Sequence, residues 1–447
     1  MTTAAAVTLE LDDIQAGVLR PRPLPYVATY LLLRVDDARA GRQMLRLLIP
    51  HLASAANPTS LDTGAWLSLA FTYQGLKAFG VPQDSLDSFA QEFREGMAAR
   101  AELLGDVGEN SPALWDKPLG TPDVHIVLTA LSPDAARRDA LIERARKAYP
   151  DRAGVELIYR HDAEVLPNAR EAFGFRDGIS HPAIEGSGIP GTNPQECPLK
   201  AGEFVLGYAD ETGGSAPVPQ PDILGRNGTY VAFRKLHQRV AAFRRYVRSQ
   251  SSSADEAEFL AAKMVGRWRS GAPLALSPER DDPELGADGS RNNDFMYRDD
   301  DAKGLRCPFG AHIRRANPRD AFKDEVIGVN RLHRMIRRGT SYGPPLPEGV
   351  LDDDGLDRGF VFTFIGAHIK RQFEFVQTQW VNSGTFLGAS GETDPLVGPN
   401  DGAGEFTVPK RPVRRRLQGL PRFVVTRGGE YGFVPGLRAL RWLADAS

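Results

Sequence analysis

The chain has 447 residues, 41% hydrophobic and 25% charged, with 55 Lys+Arg against 57 Asp+Glu and a formal net charge of −2. That is the composition of a soluble globular protein, and near-neutrality argues against nucleic acid as a partner, because phosphate contacts require a basic surplus. No apolar run approaches the ~20 residues of a membrane-spanning helix, and the two cysteines, Cys197 and Cys307, provide neither a disulfide framework nor a Cys-rich metal site.

The first residues, Met-Thr-Thr-Ala-Ala-Ala-Val, carry no basic, apolar or twin-Arg export pattern, so a cytoplasmic protein without a membrane partner is expected. Residues 27–35 read as a strand, 37–48 as a helix, and 65–73 and 124–129 as further strands. Ser132 followed by Pro133 predicts an N-cap and first helical position, with the helix running to about residue 148. This alternation predicts a sheet covered by helices. From 174 to 229 the texture turns to Gly, Pro, Asn and Asp, and loops beyond ~12–15 residues in a compact protein are usually functional. Helical patterns follow at 231–249 and 254–268, then strand-like runs at 359–369, 371–381 and 423–425, and a closing helix at 438–447. Alternation puts Phe360, Phe362 and Phe364 on one face, as core or as the wall of a cofactor pocket. Strand–helix halves on either side of the loop-rich middle fit a duplicated α+β unit.

Three short motifs lack their structural context. Gly186–Gly191 matches a dinucleotide loop, but no strand precedes it and Pro190 stands where the helix should begin. Acidic clusters at 299–301 and 352–354 lack the Glu that closes a calcium loop. Gly339-Thr-Ser341-Tyr-Gly343 matches a nucleophile elbow without the flanking strand and helix, leaving a serine hydrolase built on Ser341 as the rival reading. The eight histidines form no HExxH pair. One imidazole is nevertheless enough to ligate iron when a porphyrin supplies the remaining equatorial ligands.

Phe173-Gly-Phe-Arg-Asp177-Gly178-Ile-Ser-His-Pro182 resembles the G-x-x-D-G signature of the dye-decolorising peroxidases. The resemblance continues at Cys307-Pro-Phe-Gly-Ala-His312-Ile-Arg-Arg-Ala-Asn-Pro-Arg319, at 333–342, at 371–380, at Asp394-Pro-Leu-Val-Gly398 and at 427–435, and opens weakly at Asp13-Ile-Gln-Ala-Gly-Val18. It implies an α+β fold of two ferredoxin-like domains, 1–220 and 221–447, with one haem b per chain held mainly by the second. His312 would be the axial iron ligand and Asp394 the carboxylate behind it. Asp177 and Arg337, favoured over Arg338, would form the distal face. Arg315 and Arg319 would meet the propionates, and Phe360 and Phe362, with Phe364, would belong to the pocket wall. Tyr342 and Trp380 would be possible electron relays. The implied activity is reduction of hydrogen peroxide through a high-valent iron-oxo intermediate with oxidation of dyes, phenols or similar donors, best at acidic pH. A haem-binding or iron-release protein of the same fold is the nearest alternative.

Overall fold

The computed structural model describes residues 8–56, 64–150, 154–322 and 330–445. The opening residues 1–7, read above for an export pattern, lie outside them, as do the last two residues of the expected closing helix. Four strands come first: β1 (Val27–Val35), β2 (Trp66–Phe71), β3 (Ile126–Ser132) and β4 (Val155–Glu164). Helix Ala38–Leu48 connects β1 to β2 and helix Ala135–Arg146 connects β3 to β4. The second set is β5 (Thr229–Gln238), the short pair β6 (Ile336–Arg337) and β7 (Thr340–Tyr342), β8 (Gly359–Gly366) and, after the separate hairpin β9 (Gly404–Val408) and β10 (Arg415–Leu420), β11 (Val424–Val434).

All nine strands of the main sheet pair antiparallel, in the order β4-β1-β3-β2-β11-β5-β8-β6, with β7 also on β8. Each half therefore repeats one arrangement, in which the last strand of the unit lies beside the first, and the third lies between the first and the second. This is the ferredoxin-like order expected, used twice. The halves meet where β2 pairs with β11 at Phe71 and Phe433. The expected division near residue 220 falls in the long connection between β4 and β5.

The alternation of β1 explains why both faces of the sheet are covered. Leu31, Leu33 and Val35 enter one core with Met44, Leu45 and Leu48 of the first helix, while Ala28, Tyr30 and Leu32 enter another. Asp37 starts that helix by accepting hydrogen bonds from the Arg39 and Ala40 backbone N–H groups.

Three expectations need correction. Ser132 closes β3, and Asp134 caps the following helix instead, accepting from the Arg137 N–H at 2.9 Å. Residues 231–238 are strand rather than helix, since β5 lies between β11 and β8 and a central position rewards extended Val and Phe over any helical spacing. Residues 371–381 are not extended but lie in two π-helical turns, Ile369–Glu374 and Val376–Val381; an apolar aromatic run suits a buried helix as well as a strand. The predicted helix at 254–268 is found at Ala254–Val265, and the closing helix at Leu437–Asp445. Among the described residues no helix is long and apolar enough to cross a membrane.

Candidate active site

The connection between β4 and β5 lays residues 171–181 against a cavity of about 310 Å³, whose wall also includes His312, Arg319, Arg337, Phe360 and Phe362. His312 begins the short helix His312–Ala316. Its Nδ1 lies 2.8 Å from Asp394 Oδ2, and Asp394 is fully buried. The two oxygens of Asp394 have separate partners: Oδ1 accepts from the backbone N–H groups of Leu396 (2.9 Å) and Val397 (3.0 Å), capping the turn, and Oδ2 faces the imidazole. Burial opposes both charges, yet their proximity prevails, raising the His312 pKa and lowering that of Asp394. The imidazole side chain keeps 29% exposure, and among the described residues its Nε2 has no hydrogen-bond partner. A single unpaired ring nitrogen backed by a carboxylate, set in a cavity walled by Phe360, Phe362 and Phe373, is the donor set that haem iron requires. On that chemistry the residues present fit the group.

Asp177 belongs to a tight loop between Gly174 and Gly178, whose φ angles of 97° and 78° are in the left-handed region. Burial pushes the Asp177 carboxyl up, but Arg22, the Gly178 N–H and then Arg337 pull harder, so its pKa falls below the ordinary value. Arg337, on β6, lines the cavity and donates to the Ser180 carbonyl at 3.2 Å. Arg338 turns the other way and donates to the carbonyls of Leu19 and Arg20, both at 3.0 Å.

Other expected residues fall elsewhere. Arg315 does not reach the cavity. It is fully buried, and four of its five guanidinium N–H groups donate to the carbonyls of Gly310, Trp380, Ser383 and Glu392, which turns the group away from the cavity. It braces the His312 helix against the segment that carries Asp394. Arg319 does line the wall, but its Nη atoms are held by Asn293 and the Phe295 carbonyl, and its guanidinium stacks 3.7 Å from the Phe295 ring centroid. Phe360 and Phe362 line the cavity, whereas Phe364 is packed in the core against Phe373. Tyr342 and Trp380 are buried outside the wall. Ser341 is buried, its Oγ has no partner among the described residues, and it is not part of the cavity. Without an adjoining base it cannot serve as a hydrolase nucleophile.

One residue escaped the sequence reading. Arg22 lies at the cavity, its Nη2 2.7 Å from Asp177 Oδ2. The only local hint is a charged residue locked between Pro21 and Pro23 just before β1; nothing in its spacing points to a loop 155 positions away.

Known proteins share this fold. The family model described as the DyP dimeric alpha+beta barrel domain matches residues 13–165. A dye-decolorizing peroxidase of Exidia glandulosa is 32% identical over 98% of this chain and 87% of its own length. A multifunctional dye peroxidase of Amycolatopsis sp. is 29% identical, over 99% of this chain and 97% of its own. A solved dye-decolorizing peroxidase in complex with 2,6-dimethoxyphenol superposes with a TM-score of 0.85 at 29% identity, covering 98% of this chain and all of that one. With the same duplicated fold and whole-length similarity to such enzymes, the chain belongs to the dye-decolorising peroxidases, a family of haem-dependent enzymes.

Proposed function

We propose that this chain reduces hydrogen peroxide and oxidises dyes, phenols or similar one-electron donors, using one haem b per chain with His312 as the axial ligand. One observation carries the reading: His312, backed by Asp394, opens onto the same cavity as Asp177 and Arg337. The relative bound to 2,6-dimethoxyphenol supports phenols as donors.

Haem, when bound, supplies the redox-active iron and the ring nitrogens, so the protein need contribute only one ligand. Nδ1–H of His312 donates to Asp394, which fixes the tautomer, leaves Nε2 as the ligating atom and raises its basicity. Asp177, ionised, would accept the proton of the inner peroxide oxygen and return it to the outer one, which leaves as water, while haem, when bound, would supply the two electrons for the cleavage and the site for the remaining oxygen atom. Arg337 is charged at every working pH and meets the negative charge that grows on the departing oxygen. Phe360 and Phe362 keep solvent off the site.

Tyr342 is the better-supported electron relay. Its hydroxyl lies 3.2 Å from the half-exposed Asp357 carboxylate and 3.3 Å from the carbonyl of Leu236, a residue of the cavity wall. Trp380 is enclosed by Phe322, Phe375 and Phe386 and has almost no surface of its own.

Supplying haem tests the reading. The expected result is a Soret band with five-coordinate high-spin features that shifts on stoichiometric peroxide and is lost in His312→Ala. A folded protein that stays colourless with haem present sinks the proposal.

A further inference from the structure

We propose that Arg22, contributed by the N-terminal segment, is a positioning residue that holds the Asp177 carboxylate in place for proton transfer and leaves Arg337 free to face the peroxide. The proposal rests on the role given to Asp177 above. Arg22 Nη2 donates to Asp177 Oδ2 at 2.7 Å, and Nη1 donates to the carbonyl of Gly339, two residues beyond Arg337. The guanidinium lies 4.5 Å from the ring centroid of Tyr26, and the Tyr26 hydroxyl accepts from the Ser341 N–H at 2.9 Å. The lead-in to β1, the distal loop and the β6–β7 turn thus converge on one cation. Its orientation is set by a carbonyl, a carboxylate and an aromatic floor, the kind of fixed fork that Arg provides and Lys does not.

Gly178 makes room for this grip. A Cβ there would stand 3.2 Å from Arg22 Nη2, in addition to facing a backbone φ of 78°. The glycine after Asp177 therefore serves the approach of Arg22 as well as the turn.

The two cations near Asp177 divide the work. Arg337 has its hydrogen bond with the Ser180 carbonyl rather than with Asp177. Were Arg337 the direct ion-pair partner, part of its charge would be neutralised before the peroxide oxygen developed any. Three more arginines stand around the loop, but each has its hydrogen bonds elsewhere: Arg176 with the Gly286 carbonyl, Arg267 with the Gly271 and Asn292 carbonyls and the Asn293 side chain, and Arg338 with the Leu19 and Arg20 carbonyls. Burial and the neighbouring Arg338 and Arg337 keep His181 neutral, with its pKa at about 3; burial raises both Glu171 and Tyr26. Burial is also the largest influence on Asp177 itself, and it acts upward; Arg22 is the largest influence in the other direction. Removal of Arg22 should therefore let the carboxyl hold its proton at higher pH. In the reaction Arg22 neither gives nor takes a proton. The proton of the inner peroxide oxygen passes to Asp177 and on to the outer oxygen, which leaves as water; the two electrons and the acceptor of the other oxygen would be the haem's.

Haem-loaded Arg22→Gln, Arg22→Met and Arg22→Lys would be compared with the parent, after circular dichroism has certified the fold. Infrared difference spectra against pH follow the Asp177 carboxyl band, identified by its loss in Asp177→Asn, and stopped-flow spectra follow the acid limb of the peroxide reaction. In Arg22→Gln or Arg22→Met both midpoints should rise by at least about one pH unit; Arg22→Lys, which restores the charge but not the fork, should recover most of the rise in the midpoints while the pH-independent peroxide rate stays below that of the parent. Unchanged midpoints in either neutral variant overturn the proposal. So does an equal displacement in Arg22→Lys, which would mark a packing defect rather than lost charge. If Asp177→Asn leaves the peroxide reaction intact, the role of Asp177 fails, while the infrared titration still decides whether Arg22 holds it ionised.

Discussion

At the scale of single residues, the chemistry depends on which carboxylates keep their charge. Asp177 has a depressed pKa, so its proton-accepting form persists below the ordinary carboxylate range and is lost only as pH falls through that lowered value. The peroxide reaction should accordingly hold its rate well into acid, and Asp177→Asn should slow it by about 10²–10⁴-fold in stopped-flow measurements. Glu430 shows the opposite case. Burial lifts its pKa to about 8, and among the described residues the Gly120 N–H is its one compensating contact. Folding with a neutral Glu430 is favourable below the ordinary carboxylate pKa and becomes progressively costly as pH rises toward about 8. Glu430→Gln should thus stabilise the protein at pH 7, on the order of 3 kcal/mol, and change nothing near pH 4; equal melting shifts at both pH values would contradict this. Local motifs in the sequence singled out His312, Asp394, Asp177 and Arg337, and the structure brings His312, Asp177 and Arg337 to one cavity with Asp394 behind His312. Arg22 and the internal commitment of Arg315 could not be read from the sequence, because both depend on carbonyls and carboxylates that only the folded chain brings near.

At the scale of elements, a continuous β-rich apolar run such as β1 and an alternating one such as β8 were legible, whereas positions ruled by neighbours were not. The π-helical turns over 369–381 have the Phe, Val and Trp content of a strand, but Gln372 ties them inward. Its Nε2 donates to the carbonyls of Glu203 (2.8 Å) and Arg334 (2.9 Å), and its Oε1 accepts from the His368 N–H at 3.0 Å. The segment leading to Arg337 is thereby fixed to the loop that follows the distal residues. Gln372→Leu strands two buried carbonyls and an amide, and should cost about 2–4 kcal/mol in denaturant unfolding. A loss under about 0.5 kcal/mol would show that these bonds are easily replaced by water. Over 231–238 apolar spacing compatible with a helix yielded to pairing on both sides, an outcome set by topology rather than by the eight residues themselves.

At the scale of the whole molecule, the duplicated architecture was legible in the texture of the two ends, but the joint between them was not. The β2–β11 junction has little backbone pairing, and Gln15 supplements it. The side-chain amide of Gln15 donates to the carbonyls of Leu69 (3.0 Å) and Pro435 (2.9 Å) and accepts from the Leu69 N–H (2.9 Å), spanning both halves. Gln15→Ala should therefore weaken the joint specifically. Unfolding is expected to lose about 2–4 kcal/mol and to split into two transitions by calorimetry; one transition, shifted but sharp, would show that the halves are coupled mainly elsewhere.

The position of β11 also sets an order of events. Among the described residues it is the last strand in chain order, yet it lies in the middle of the sheet, between β2 and β5. The N-terminal strands, Arg22 and Asp177 precede His312 and Asp394 in the chain, and β11 follows them all. β11 also supplies Val424 and Thr426 to the cavity wall, so in a chain made from its N-terminus that wall can be completed only after the other strands described here have been synthesised.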